Sequence, residues 1–104
     1  MARARAVDGG GMKINYRKEA RGRDCQIRIP GVCSGDPSTV VLCHLPGGGV
    51  ARKRDDRLGA WGCHSCHNAV DARTKCAFDA TTLRLWHMEA VFRTQEVLIA
   101  EGKL

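Results

Sequence analysis

The sequence predicts a small α+β domain stabilised by a bound metal, and three observations carry that expectation. The chain has 104 residues, of which six are cysteine, 12 glycine and 3 proline, so its core is modest and calls for a metal or disulfides. Cys63-His64-Ser65-Cys66 sets two thiols three residues apart, and Cys25 and Cys33 offer a second pair; four thiolates close a tetrahedral zinc shell. A β-branched run, a glycine-rich basic loop, a short second run, the cysteine knuckle and a helical segment then follow in that order.

The first eleven residues carry Arg3 and Arg5 and end in Gly9-Gly10-Gly11. Residues 1–15 therefore read as a flexible basic tail, with Met12 a candidate start, and 16–104 as one domain. Tyr16 to Asp24 is dense in charge and predicts one or two helical turns broken at Gly22. Cys25-Gln26-Ile27-Arg28-Ile29-Pro30 alternates like a short strand entering a turn at Pro30-Gly31, and Ser34 to Pro37 is a loop. Thr39 to Leu45 is the strongest strand, ended by Pro46-Gly47-Gly48-Gly49. Arg52 to Arg57 reads as an exposed charged loop and Leu58 to Gly62 as a short second strand. His67 to Lys75 is expected to be helical, with Ala69, Val70 and Ala72 inward. Asp79 is the expected N-cap of a last helix over about Thr81 to Glu101, closed by Gly102, with Leu83, Trp86, Ala90 and Val97 near one face.

The net charge is +6, the sequence pI about 9.3, and arginine outnumbers lysine, which favours a polyanionic partner and nucleic acid first. No stretch approaches transmembrane length and none resembles a secretory signal, so a cytoplasmic location is expected. Thiols there stay reduced, and the cysteines read as ligands before disulfides.

Four constellations carry chemistry. Cys25, Cys33, Cys63 and Cys66 form the candidate structural zinc site, against the rival of buried free thiols; Cys76 is expected to be one of those. His44 ends the first strand on the face opposite Cys43 and lies beside a glycine-rich loop that admits a phosphate backbone; a satisfied structural histidine is the plainer reading. His67 and Asp71 lie one helical turn apart and can share a divalent ion with open positions, or Asp71 can simply pair with Lys75. His64 is expected to be an exposed bystander. Arg52, Lys53, Arg54 and Arg57 can contact nucleic-acid phosphates with little sequence preference, or be only a solvated loop. Cys63 to His67 is also formally Cys-x-x-Cys-His, the attachment motif of c-type haem, with Met88 as sixth ligand; that reading leaves Cys25, Cys33 and His44 without roles.

The ordered set resembles the HNH endonucleases of the His-Me finger, or ββα-metal, superfamily. Ala20-Arg21-Gly22-Arg23-Asp24-Cys25-Gln26-Ile27-Arg28-Ile29-Pro30-Gly31-Val32-Cys33 and His67-x-x-x-Asp71 with Arg73-Thr74 are similar to small nuclease-like proteins of lambdoid phages and prophages. The resemblance spans about residues 16–74. It implies a zinc-stabilised ββα-metal domain with a C-terminal helix and a phage or prophage endonuclease that hydrolyses DNA phosphodiesters with low sequence specificity. His44 would be the general base and His67 a ligand of a catalytic divalent ion, with magnesium, manganese, nickel or zinc as choices. Cys43 stands where the family has an acid or histidine, and the middle asparagine is missing. Asp56, with Asp55 behind it, is the candidate substitute, and Asp71 the missing carboxylate. DNA is the expected partner, with a phage or host recombination or packaging protein, or a second copy along Val91, Phe92, Leu98 and Ile99, as further ones. The alternative is a non-catalytic zinc-stabilised nucleic-acid-binding or adaptor module, in which His44 and His67 would be dispensable.

Overall fold

A computed structural model describes residues 13–45 and 54–104 of the chain. The tail through Met12, the glycines that follow Pro46, and Arg52 and Lys53 lie outside the described residues. The described elements are α1 (Tyr16–Glu19), β1 (Val41–His44), β2 (Gly59–Gly62), α2 (His64–Val70) and α3 (Ala80–Ala100), with short 3₁₀ turns at Pro37–Thr39 and Asp56–Leu58.

Each helix begins at a side-chain cap. Asn15 accepts from the Lys18 amide at the start of α1, Cys63 from Cys66 at α2, and Asp79 from Thr82 at α3, each satisfying an amide that the helix itself cannot pair. The expected cap and span of the last helix hold to within a residue. Gly102 closes it with φ +73°, and the Lys103 amide bonds back to the Leu98 carbonyl in the manner of a left-handed C-terminal stop.

Strands β1 and β2 pair antiparallel with Val41 opposite Gly62 and His44 opposite Gly59. In a sheet of two strands both are edges, and their outward backbone groups need partners from elsewhere. Helix α3 supplies two of them. Thr94 Oγ1 accepts from the Trp61 amide at 3.0 Å, and His87 Nε2 lies 2.9 Å from the Cys43 carbonyl. The Gln26 amide donates to the Trp61 carbonyl at 2.7 Å. This explains why α3 buries His87 and Thr94 together with Ala90, Val91 and Leu98, while the expected face residues Leu83, Trp86 and Val97 sit only half-buried beside the core. Burial lowers the pKa of His87, so it is a neutral donor to the strand.

Four expectations are corrected. Cys25 to Pro30 is not a strand: Arg28 at φ +56° and Gly31 at φ +73° coil the segment back on itself so that both flanking cysteines reach one point. The second helix begins at His64, inside the knuckle, and ends at Val70 instead of Lys75. Ala72 takes φ +60°, which breaks the helix and leaves Ala72 exposed. Cys76 is half-buried instead of a core thiol. The first strand is also shorter than expected, because Thr39 belongs to the 3₁₀ turn that Asp36 caps.

Candidate active site and metal centre

The two cysteine pairs converge. The sulfurs of Cys25, Cys33, Cys63 and Cys66 all lie within 4.8 Å of one another, and Cys33 Sγ is 3.8 Å from Cys63 Sγ. A tetrahedral zinc with sulfur at about 2.3 Å requires an S···S spacing of about 3.8 Å, so the set fits a metal ion. The surroundings fit one too. The Ser34 amide points at Cys63 Sγ from 3.4 Å and the Cys66 amide from 3.5 Å, which stabilises thiolate charge. The Cys66 thiol, hydrogen-bonded to Cys25, lowers the Cys25 pKa, while its own is pushed up by the same contact and by burial. The haem reading loses its attachment points here, because Cys63 and Cys66 turn their thiols to Cys25 and Cys33, and Met88 stands 44% exposed on α3.

On the other side of α2 lies an open groove of about 530 Å³ whose wall includes His44, His67, Asp71 and His64. His44 ends β1 and faces it. The 3₁₀ turn before β2 carries Asp56 to the imidazole, with Asp56 Oδ1 2.6 Å from His44 Nε2. That hydrogen bond lowers the Asp56 pKa, burial opposes it, and Arg17, 3.5 Å from the other oxygen, adds to the lowering. An ionised Asp56 is an acceptor only, so His44 donates through Nε2–H, which in the neutral imidazole leaves the lone pair on Nδ1. His67 and Asp71 form a second pair, with Nε2 3.1 Å from Oδ2. Asp71 also meets Arg73 at 3.6 Å, and this arginine takes the place that the sequence reading considered for Lys75. His44, held by Asp56, thus shares one groove with the His67–Asp71 pair, and an imidazole and a carboxylate at neighbouring positions can serve a divalent ion.

Other expected residues are placed elsewhere. Cys43 is fully buried on the face opposite His44, its thiol directed at the Val41 and Gly62 carbonyls; burial pushes its pKa up, so it stays a protonated core thiol. Asp55 caps its own turn, and both its oxygens hold the Arg57 guanidinium, at 3.0 and 2.9 Å. Arg57 is therefore committed to Asp55, Arg54 is exposed, and Arg52 and Lys53 fall outside the described residues. His64 is exposed, but it lines the groove and hydrogen-bonds Asn68 at 3.2 Å. Sequence reasoning missed that Arg17, Arg21 and Arg73 also line the groove. The signal available was the four-residue spacing of Arg17 and Arg21, which puts them on one side of a helical turn.

A family model described as "Putative nuclease YbcO" matches residues 14–103. The chain is 42% identical over 91 residues to "Putative nuclease YbcO" of Escherichia coli (strain K12), covering 85% of this chain and 94% of that protein. It is equally similar, 42% over 91 residues with the same coverage, to "Putative nuclease ybcO" of Enterobacteria phage 82. Its structure is similar to that of "a putative bacteriophage protein from Escherichia coli str. K-12 substr. MG1655", with a TM-score of 0.73 and 42% identity over 85% of this chain and 100% of that one.

Proposed function

The chain belongs to the YbcO family, described by the words "putative nuclease", and from that premise we propose that it is a metal-dependent DNA endonuclease of HNH type, encoded by a phage or prophage and of low sequence specificity. The observation that carries the proposal is the His44–Asp56 hydrogen bond of 2.6 Å opening onto the same groove as the His67–Asp71 pair. The order β1, β2, α2, with one histidine ending the first strand and another on the helix, supports the ββα-metal assignment.

In this reading Asp56 orients the imidazole of His44 and fixes its tautomer, and Nδ1 accepts a proton from a water that attacks phosphorus in line. His67 and Asp71 would hold a divalent ion, which when bound supplies positive charge to the phosphate and the leaving oxygen. Asp56 stands in for the absent asparagine by orienting the base through a carboxylate. The four cysteines would hold zinc as a structural ion, separate from the groove, in a cytoplasm that keeps thiols reduced.

The test is nicking of supercoiled plasmid by the purified chain across magnesium, manganese, nickel and zinc, with His44→Ala alongside. Nicking that requires a metal and vanishes in His44→Ala is the expected result. No cleavage with any metal, together with salt-sensitive plasmid binding, would favour the non-catalytic binding module.

A further inference from the structure

The described arginines that line the groove beside the histidines come from outside the charge run at 52–57. Arg17, Arg21 and Arg73 line the groove. Arg17 sits on α1 and Arg21 just past its C-terminal cap, while Arg73 follows α2. Two of them touch a histidine-bound carboxylate: Arg17 meets the Asp56 oxygen that His44 leaves free, from 3.5 Å, and Arg73 meets the Asp71 oxygen that His67 also contacts, from 3.6 Å. Both side chains stay more than half exposed, 58% and 64%. Exposed contacts of this length are weak, so they aim each guanidinium without consuming its donors. Arg21 has no side-chain hydrogen bond or ion pair among the described residues.

Among the described residues, most other guanidinium groups are spent within the fold. Arg23 binds both oxygens of Glu101 at 2.6 and 2.7 Å, and Glu19 at 3.0 Å. Arg57 is forked onto Asp55, Arg28 onto the Cys25 carbonyl and Gln26, and Arg93 onto the Gln26 carbonyl. Arg84 keeps its donors as well, but stands on α3 outside the groove. Among the described residues, three unspent arginine forks are thus gathered in the groove that His44, His67 and Asp71 line.

We propose that Arg17, Arg21 and Arg73 form a three-armed phosphate clamp that seats a nucleic-acid backbone across the His44–Asp56 and His67–Asp71 pairs. This rests on the nuclease reading above and adds a contact surface beside the one expected at 52–57. The ligand is the phosphodiester backbone itself: a planar guanidinium grips phosphate oxygens in bidentate fashion, and such contacts position a strand without reading its bases. Asp56 and Asp71 hold Arg17 and Arg73 at the rim before the strand arrives.

The test measures binding of a fluorescent DNA duplex across a salt series by full-length protein carrying His44→Ala, so that no cleavage intrudes. Each lost phosphate contact should flatten the slope of log affinity against log salt by about 0.9. Arg17→Gln, Arg21→Gln and Arg73→Gln together should flatten it by about 2.7. Arg21→Gln by itself, which breaks no contact within the fold, should flatten it by about 0.9. Lys13→Gln with Lys18→Gln, exposed residues outside the groove, is the charge control and should leave the slope near that of the parent. An unchanged slope in the triple variant, while the wild type nicks plasmid, overturns the clamp and leaves the nuclease standing. Equal flattening per charge by the lysine control also overturns it, since contact would then follow overall charge. A flattened slope in a protein whose wild type never nicks supports the clamp and removes the nuclease reading. A wild type that neither binds nor nicks removes both.

Discussion

Replacing Cys63 by serine isolates the contribution of the four-sulfur cluster better than any other single change. Cys63 Sγ serves two purposes: it caps α2 by accepting from the Cys66 amide, and it faces Cys33 Sγ at 3.8 Å within the cluster. Serine is itself a favourable N-cap, so the helix start survives and only a thiolate ligand is lost. A structural zinc contributes about 10–16 kcal/mol of apparent binding energy at neutral pH, comparable with the whole stability of a small domain, about 5–15 kcal/mol. One ligand in four therefore accounts for about 2.5–4 kcal/mol, sharing that binding energy equally. In a domain of this size each kcal/mol moves the melting temperature by about 4–8 °C, so the expected drop is about 10–32 °C. Thermal melts by circular dichroism, read beside zinc content per chain, measure it. Cys76→Ser, half-buried and outside the cluster, is the control and should cost less than about 1 kcal/mol. Dialysis against a chelator should lower the wild-type melt towards that of Cys63→Ser. Equal melts for wild type and Cys63→Ser would refute the argument that a metal holds this fold together.

The other predictions follow from single contacts. His44→Ala should reduce plasmid nicking by about 10²- to 10⁴-fold while its thermal melt stays close to that of the wild type; a large loss of stability would instead mark His44 as structural. Gly62→Ala should destabilise the fold by about 1–3 kcal/mol through overpacking, because a Cβ there would lie 2.6 Å from Ile27 Cδ1 and 2.9 Å from Cys43 Sγ; an unchanged urea midpoint would contradict it. Arg23 and then Lys103 hold the Glu101 carboxyl down at about 2, below its unfolded value of about 4.3. A depressed carboxyl stabilises the fold above its unfolded pKa and loses that contribution as pH falls through the folded one. The tie between α1 and the end of α3 should therefore weaken between about pH 4.3 and about pH 2. Glu101→Gln should abolish that step in melts taken along an acid titration.

Legibility in the sequence followed the range of the interaction. Local signals were read correctly: Asp79 as a cap, Gly102 as a stop, Pro30-Gly31 as a turn, and the order of strand, strand, knuckle and helix. Cys63 and Cys66 could be paired from spacing, because three residues on a turn bring two thiols to one point. Their meeting with Cys25 and Cys33 was expected from metal-ligand chemistry, which prefers four sulfurs. The loop that brings the second pair in was misread as a strand, because alternation in Cys25 to Pro30 says nothing of the left-handed turn at Arg28. Likewise the helical pattern of α2 carried past Val70 on paper, whereas the positive φ at Ala72 ends it.

The sequence by itself determined the chemistry this chain can draw on: four thiols for one ion, two histidines with carboxylates to match, and an excess of arginine. Only the tertiary structure decided which of these meet. His44 finds Asp56 twelve residues away, Arg17 reaches the same carboxylate from α1, and His87 and Thr94 are drawn into the core by edge groups that a two-stranded sheet leaves unpaired. Which arginines keep their donors was decided in the same way, because Arg23 meets Glu101 across seventy-eight residues and Arg57 closes on Asp55. The physical reason is common to all of these. Caps, turns and periodicity are properties of a few consecutive residues, whereas a hydrogen bond between distant side chains exists only after packing has brought their elements together.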